Sequence, residues 1–298
     1  MRFAFWPGSG NTWDDTLALA KHAEASGWDG IYFADHFMPN QADTSGPQLE
    51  CMTVLAALAV LVPRVRLGSL VLGNTYRNPA IMAKSAANIS IISGGRLVLG
   101  LGAGWQENEH IAYDVPFYTV PERLKRLEEA CKIVRGLFRE EKTTVAGRYY
   151  HVTDAPLAPK PATPPKLLIG GGGEQVTLKI AARYADEWNV WGLPDLLTQK
   201  MEVLDRHCAT IGRNPKEIER SAVALLALTD DPAVAERTRA SGRPVLGGNA
   251  DEVAGIIQQY IDAGVSEVII PDFNLGRTIE AKQEQMDRFI GDVARRFR

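Results

Sequence analysis

Short apolar runs alternate with helical patterns along the whole chain, and this rhythm limits the fold more than any other feature of the sequence. Apolar strands are read at residues 2–6, 30–34, 65–70, 97–101, 166–169, 187–190, 221–228 and 268–270. Each is a continuous apolar run rather than an alternating one, as a strand buried on both faces must be. Helices are read at 13–26, 49–62, 80–92, 121–138, 175–184, 196–211, 250–263 and 278–297. Their ends carry the expected punctuation: Asp14 and Asp15 open the first, Gly27 stops it, Pro63 closes the second and Pro121 sits at a helix start. Sequential βα units specify a parallel sheet, and eight of them favour closure. The expected architecture is therefore an α/β protein, a (β/α)8 TIM barrel forming a single domain over residues 1–298, ahead of an open doubly wound sheet.

Two stretches interrupt the repeat. Residues 142–152 alternate and turn at Ala146-Gly147, which predicts an inserted β-hairpin. Residues 156–165 hold five prolines and form an extended connector. Between residues 230 and 248 the chain is short of length for a full loop and helix, so the seventh unit is expected to be irregular.

Charge and cysteine usage narrow the function. A net charge of −3 gives no electrostatic reason to expect nucleic acid as a partner. No apolar stretch reaches the roughly 18–20 residues of a membrane span, and a strand begins at residue 2 with no signal peptide before it. Cys51, Cys131 and Cys208 lie far apart, form no CxxC pair and predict neither a metal site nor a disulfide. The expectation is a reduced, cytoplasmic protein acting on a small molecule.

In a barrel of this kind the strand C-termini face the active site. The second strand ends in Asp35-His36, the third in Ser69-Leu70-Val71, the fourth in Gly102-Ala103-Gly104-Trp105, and the fifth in Gly171-Gly172-Gly173-Glu174 leading into a helix. Histidine titrates near neutrality, so His36 is a candidate for proton transfer or ring contact. The four-glycine turn before a helix can curl its N–H groups around an anion, most often phosphate. The run Gly100 to Trp105 fails the dinucleotide fingerprint, because its third glycine would fall at Trp105, and reads instead as backbone lying against a flat ring or phosphate. Glu50, Glu107 and Glu109 read as solvated helix-start carboxylates. No pair of carboxylates at strand ends supports a glycosidase.

Assembled in order, these residues resemble the bacterial luciferase-like superfamily, and within it the oxidoreductases that use the deazaflavin coenzyme F420. The likeness rests on Asp35-His36, on Leu67 to Val71 with Tyr76-Arg77-Asn78-Pro79, on Ser93 to Trp105, on Ile169 to Glu174, on Ala185 to Asn189 and on Ala263-Gly264-Val265. It implies a barrel with an insertion over the mouth, frequently a homodimer, with His36 and Asp35 near the cofactor ring and His36 in hydride or proton chemistry. It implies a non-prolyl cis peptide at Ser69-Leu70 beneath the ring, with Gly102, Ala103, Gly104 and Trp105 against the ring and Gly171 to Glu174 on the phosphate-bearing tail. Relatives that oxidise a sugar phosphate have a glutamate where this chain has Trp105, which argues against that substrate. The expected activity is hydride transfer between F420 and an organic substrate. The alternatives are a reduced-FMN monooxygenase on the same fold and, in another class, a flavin-binding protein without turnover.

Overall fold

The computed structural model describes residues 1–298 and closes into the expected barrel. Its staves are β1 (Arg2–Trp6), β2 (Gly30–Phe33), β3 (Arg66–Ser69), β4 (Leu97–Gly102), β5 (Lys166–Gly170), β6 (Glu187–Trp191), β7 (Glu219–Val223) and β8 (Glu267–Pro271). All neighbours are parallel, in the order β3-β2-β1-β8-β7-β6-β5-β4, and β4 pairs back onto β3 to close the ring. The eight flanking helices are α1 (Trp13–Ser26), α2 (Cys51–Leu61), α3 (Pro79–Ile92), α4 (Val120–Arg139), α5 (Thr177–Tyr184), α6 (Pro194–Thr210), α7 (Ala250–Asp262) and α8 (Ile279–Asp292).

The apolar strands divide their side chains between two cores. Ala4, Tyr32, Val98, Leu168, Val223 and Ile269 fill the barrel. Their sequence neighbours Phe3, Phe5, Ile31, Phe33, Leu97, Leu99, Leu167, Ile169, Ala222, Val268 and Ile270 face the helices. This two-sided burial is why the strands read as continuous apolar runs. Local chemistry fixes the helix ends. Thr12 caps α1 by accepting from Asp15 N–H, Gly27 leaves it at φ 102°, and Asn78 caps α3 with Pro79 in its first turn.

Two departures from the expected elements have clear causes. The apolar run at 221–228 is not one strand: β7 ends at Val223, and Leu225–Leu228 leaves the barrel to pair in parallel with Val245–Gly248. Both pieces are equally apolar, so periodicity could not divide them. The short stretch between them holds its own helix, Pro232–Arg239. The hairpin stands as expected, though its strands are Lys142–Ala146 and His151–Pro156, so the second runs to the first proline of the connector.

The barrel is closed at its N-terminal end by buried charge. Arg66 donates to Glu187 and Glu267 at 2.8 Å each, and the Tyr32 hydroxyl donates to Glu267 at 2.9 Å. Arg2 lies 3.5 Å from Glu267, and both carboxylate side chains are wholly buried. Burial, and then the neighbouring Glu187, push the Glu267 carboxyl up to about 7 against the pull of Arg66 and Arg2.

A native carboxyl raised from 4.5 to about 7 holds its proton more tightly than the unfolded chain across that window. Its contribution to stability is therefore greatest below the unfolded value and falls as pH rises through the folded one. Glu267→Gln removes this titration. Between pH 5 and 8 the stability of wild type is expected to decline relative to the variant, by on the order of 2–3 kcal/mol, in thermal melts. A gap that does not change with pH would show that Glu267 titrates as an ordinary carboxylate.

Candidate active site

At the C-terminal end of the strands lies a cavity of about 1170 Å³. Its floor is shaped by a bulge at the end of β3. Leu67 pairs with Leu97 below it and Leu72 with Leu101 above it, so five residues advance on one strand for four on the other. The non-prolyl cis peptide lies at this point, between Leu70 and Val71, one bond beyond the expected Ser69-Leu70. Ser69 itself is buried and exchanges two hydrogen bonds with the backbone of Gly100, donating to its carbonyl and accepting from its N–H. It does not reach the cavity.

Three glycines make room for the bulge. A Cβ on Gly102 would lie 2.7 Å from Val71 Cγ2, one on Gly170 would lie 2.9 Å from Val71 Cγ1, and one on Gly100 would lie 2.1 Å from the Ser69 carbonyl oxygen. Val71 occupies the space their side chains would fill. Beyond them, Gly104 at φ 81° turns the chain so that Ala103, Gly104 and Trp105 line the cavity. Trp105 is 60% exposed, a large aromatic ring standing open at the mouth.

His36 lines the same cavity, and its ring meets Trp105 edge-to-face at 5.4 Å. Its Nδ1 is 2.9 Å from Glu109. Glu109 also accepts from the Phe37 N–H at 2.7 Å and from the Tyr76 hydroxyl. Burial alone would raise the Glu109 carboxyl, but the hydrogen bonds from His36, Tyr76 and Phe37 outweigh it and hold it below the usual carboxylate range. An ionised Glu109 can only accept, so His36 Nδ1 carries the hydrogen and Nε2, which has no protein partner, presents its lone pair. The Tyr76 phenol is pushed well up by burial and by Glu109, so it stays a donor.

Sequence reasoning placed Glu109 on a solvated helix start, and the structure corrects this. The short helix Glu107–Ala112 turns Glu109 and His110 inward, and both are completely buried. His110 donates from Nδ1 to the Gln106 carbonyl at 2.6 Å and accepts from the Thr75 hydroxyl at 2.7 Å, pinning this helix to the loop after β3. The available signal was the spacing of Glu109 and His110 a few residues beyond a strand end.

Asp35 lines the cavity next to His36, yet its carboxylate is spent elsewhere. It accepts from Arg77 at 2.7 and 2.8 Å and from the Gly73 N–H at 2.9 Å. Burial pushes the Asp35 carboxyl up, and Arg77 with the Gly73 N–H opposes the rise. Arg77 also reaches Glu50, whose carboxylate caps α2 by accepting from Met52 and Thr53 N–H. Asp35 is thus a positioning residue that fixes the strand end carrying His36.

The glycine turn after β5 ends differently from expectation: α5 begins at Thr177, two residues later than read from the sequence. Gly171, at φ 119°, lines the cavity, whereas Gly172, Gly173 and Glu174 lie outside its wall. The N–H groups of Gly172, Gly173, Glu174, Gln175 and Val176 donate to no acceptor in the protein, and no side chain caps α5. The Glu174 carboxylate is turned away and paired with Lys200 at 2.7 Å. Such a row of free amides at a helix start suits an anion. A flat ring over Val71 with an anionic tail toward these amides fits the residues present.

No group of three or more Cys, His, Asp or Glu side chains is arranged to hold a metal. No helix is long and apolar enough to cross a membrane.

The family model described as luciferase-like monooxygenase matches residues 1–285. An F420-dependent glucose-6-phosphate dehydrogenase of Kineococcus radiotolerans is 30% identical over 289 residues, covering 84% of this chain and 85% of that protein. An F420-dependent hydroxymycolic acid dehydrogenase of Mycobacterium tuberculosis is 30% identical over 223 residues, covering 76% of this chain and 61% of that one. Among solved structures, an F420-dependent secondary alcohol dehydrogenase in complex with an F420-acetone adduct superposes with a TM-score of 0.85 at 20% identity, over 98% of each chain.

The glycine contacts predict an ordered pair of effects. Gly100→Ala drives a methyl into the Ser69 backbone and is expected to cost more than about 3 kcal/mol or to abolish folding. Gly102→Ala meets only the Val71 side chain and is expected to fold at a cost of about 1–3 kcal/mol. Chemical denaturation of the two variants checks the order, and equal costs would show that Val71 is as immovable as the backbone.

Proposed function

This chain belongs to the luciferase-like monooxygenase family, and from that premise we propose that it is an oxidoreductase that transfers hydride between coenzyme F420 and an organic substrate. The observation that carries the proton half of this reading is the Glu109–His36 pair, which aims an unpartnered Nε2 at a cavity floored by the Val71 bulge. The F420-dependent relatives over most of the chain support the choice of cofactor.

Leu70, Val71 and Gly102 to Trp105 would lie against the ring of the cofactor. The free amides after Gly171 would receive its anionic tail. When bound, F420 supplies a hydride donor or acceptor with carbon rather than nitrogen at ring position 5. In substrate oxidation His36 Nε2 accepts the hydroxyl proton, and Glu109 stabilises the imidazolium that results; in reduction the proton returns by the same route. Glu109 also holds the ring in one orientation and one tautomer. Asp35 and Arg77 keep the strand end in place, and the largely apolar lining excludes water from the transfer.

The named substrate of the sugar-phosphate relatives is not carried over. Trp105 stands where the resemblance implies an acid for that substrate, and no lysine lines the cavity.

Titration of the purified protein with F420 and with FMN tests the cofactor. F420 is expected to bind at about micromolar or tighter, with FMN much weaker. Preference for FMN would move the protein to the oxygen-dependent monooxygenases, and binding of neither would leave only the fold. In the F420-loaded protein, Glu109→Gln is expected to lower kcat by about 10²–10⁴-fold while F420 affinity stays unchanged. An unaltered kcat would remove the pair from the mechanism.

The exposed apolar side chains Val60 and Leu61 of α2 and Ile81, Ile91 and Ile92 of α3 support assembly into a homodimer through these adjoining helices. Light scattering should return twice the chain mass, and Ile81→Lys should halve it; a monomeric mass for wild type would end this assignment. The three buried free thiols support residence in a reducing compartment, the cytoplasm, which fractionation of the source cells tests.

A further inference from the structure

The cavity is built differently on its two sides. The half formed by the ends of β2 to β5 is mostly backbone and glycine, with His36 and Trp105 at its edge. The half formed by the ends of β6, β8 and β1, together with the loop before residues 245–248, is made of large side chains. Trp6 leaves β1, Trp191 ends β6, and Phe273 follows β8. Trp6 lies 5.2 Å from Phe273 and 5.9 Å from Trp191, ring centre to ring centre, and Trp191 stacks on Phe273 at 6.5 Å.

One polar group in this half has no use in the architecture. Arg243, from the loop after the helix Pro232–Arg239, holds its guanidinium 5.2 Å from the Trp191 ring and 5.4 Å from Phe273. It makes no ion pair, and it is the only lysine or arginine that lines the cavity. A guanidinium held beside aromatic rings and free of any ion pair keeps its N–H groups for a planar, two-oxygen acceptor.

We infer that this half of the cavity is the substrate subsite for a flat, largely apolar ring compound that carries a carboxylate, with the ring against Trp6, Trp191 and Phe273 and the carboxylate on Arg243. The inference rests on the F420 oxidoreductase reading for what happens to the substrate, though not for where it binds. The single fork of Arg243 matches one carboxylate. A sugar phosphate fits poorly, since its hydroxyls would lie against aromatic faces without acceptors or donors, and one exposed arginine is slight provision for a doubly charged group.

Calorimetric titration of the F420-loaded protein with trans-cinnamate, cinnamamide and glucose 6-phosphate tests this. Cinnamate is expected to bind about tenfold or more tighter than its uncharged amide at low salt, with glucose 6-phosphate weaker than both. The preference should shrink as salt is raised, while the amide is unaffected. In Arg243→Gln the two cinnamates should come within about twofold of each other through loss of cinnamate affinity alone. Equal binding in wild type, a preference that survives Arg243→Gln, tighter binding of glucose 6-phosphate, or no binding of either cinnamate would each overturn the subsite. The F420 titration separates the two readings. F420 binding without a carboxylate preference ends the subsite and spares the cofactor. A carboxylate preference in protein that takes up no F420 does the reverse.

Discussion

The site depends on one carboxylate. Glu109, on the helix after β4, collects donors from two other loops at once: the His36 ring and Phe37 N–H after β2, and the Tyr76 hydroxyl after β3. Three successive βα loops are thereby fixed to one another at the point where the reacting groups must meet. A buried anion is costly unless its lone pairs are filled, and here three donors fill them. The same arrangement that makes the carboxylate tolerable holds the His36 ring in one orientation.

A second anion beside it works differently. Asp35 precedes His36 in the chain, and its carboxylate is also buried, but Arg77 and the Gly73 N–H consume it. The result is a charge-compensated pair that ties the strand end to the loop after β3. Arg77 in turn draws in Glu50, so α2, β2 and the loop after β3 share one cation. Two neighbouring residues of one motif therefore divide the labour. Asp35 fixes the backbone, and His36 is left to face the cavity.

How much of this could be read beforehand follows from the range of the interactions involved. The barrel was legible because two-sided burial writes itself into each strand independently, as in Leu97 to Leu101. The hairpin at 142–156 was legible because its alternation and its turn are local. That His36 and Gly171 reach the cavity was legible because strand ends in this fold have a known destination; that Gly172 to Glu174 lie outside its wall was not. Glu109 was not, since nothing within its own helix distinguishes a carboxylate facing solvent from one facing a histidine 73 residues away. The split of 221–228 into a barrel strand and an outer one was hidden for a similar reason. Val223 and Leu225 are both apolar, and only the partner strand Val245–Gly248, which exists in space and not in the local pattern, separates them. The use of Asp35 was also hidden, because pairing with Arg77 spans 42 residues.

The unequal construction of the cavity has a physical rationale. A ligand that must lie flat over a strand requires backbone at close range, and only small residues permit that: Gly102, Ala103, Gly104 and Gly171 line this side. Such a surface is tied to the barrel itself, since a Cβ on Gly100 or Gly102 would strike the bulge that shapes the floor. The opposite side carries no such constraint. Trp191 and Phe273 stand at strand ends and Arg243 on a loop, where side chains can change without disturbing the staves. Trp105 sits where the two halves meet, with its ring against His36. An aromatic ring there can neither give nor take a proton at neutral pH. In the proposed reaction the proton transfer is therefore assigned to His36, with the Glu109 carboxylate behind it.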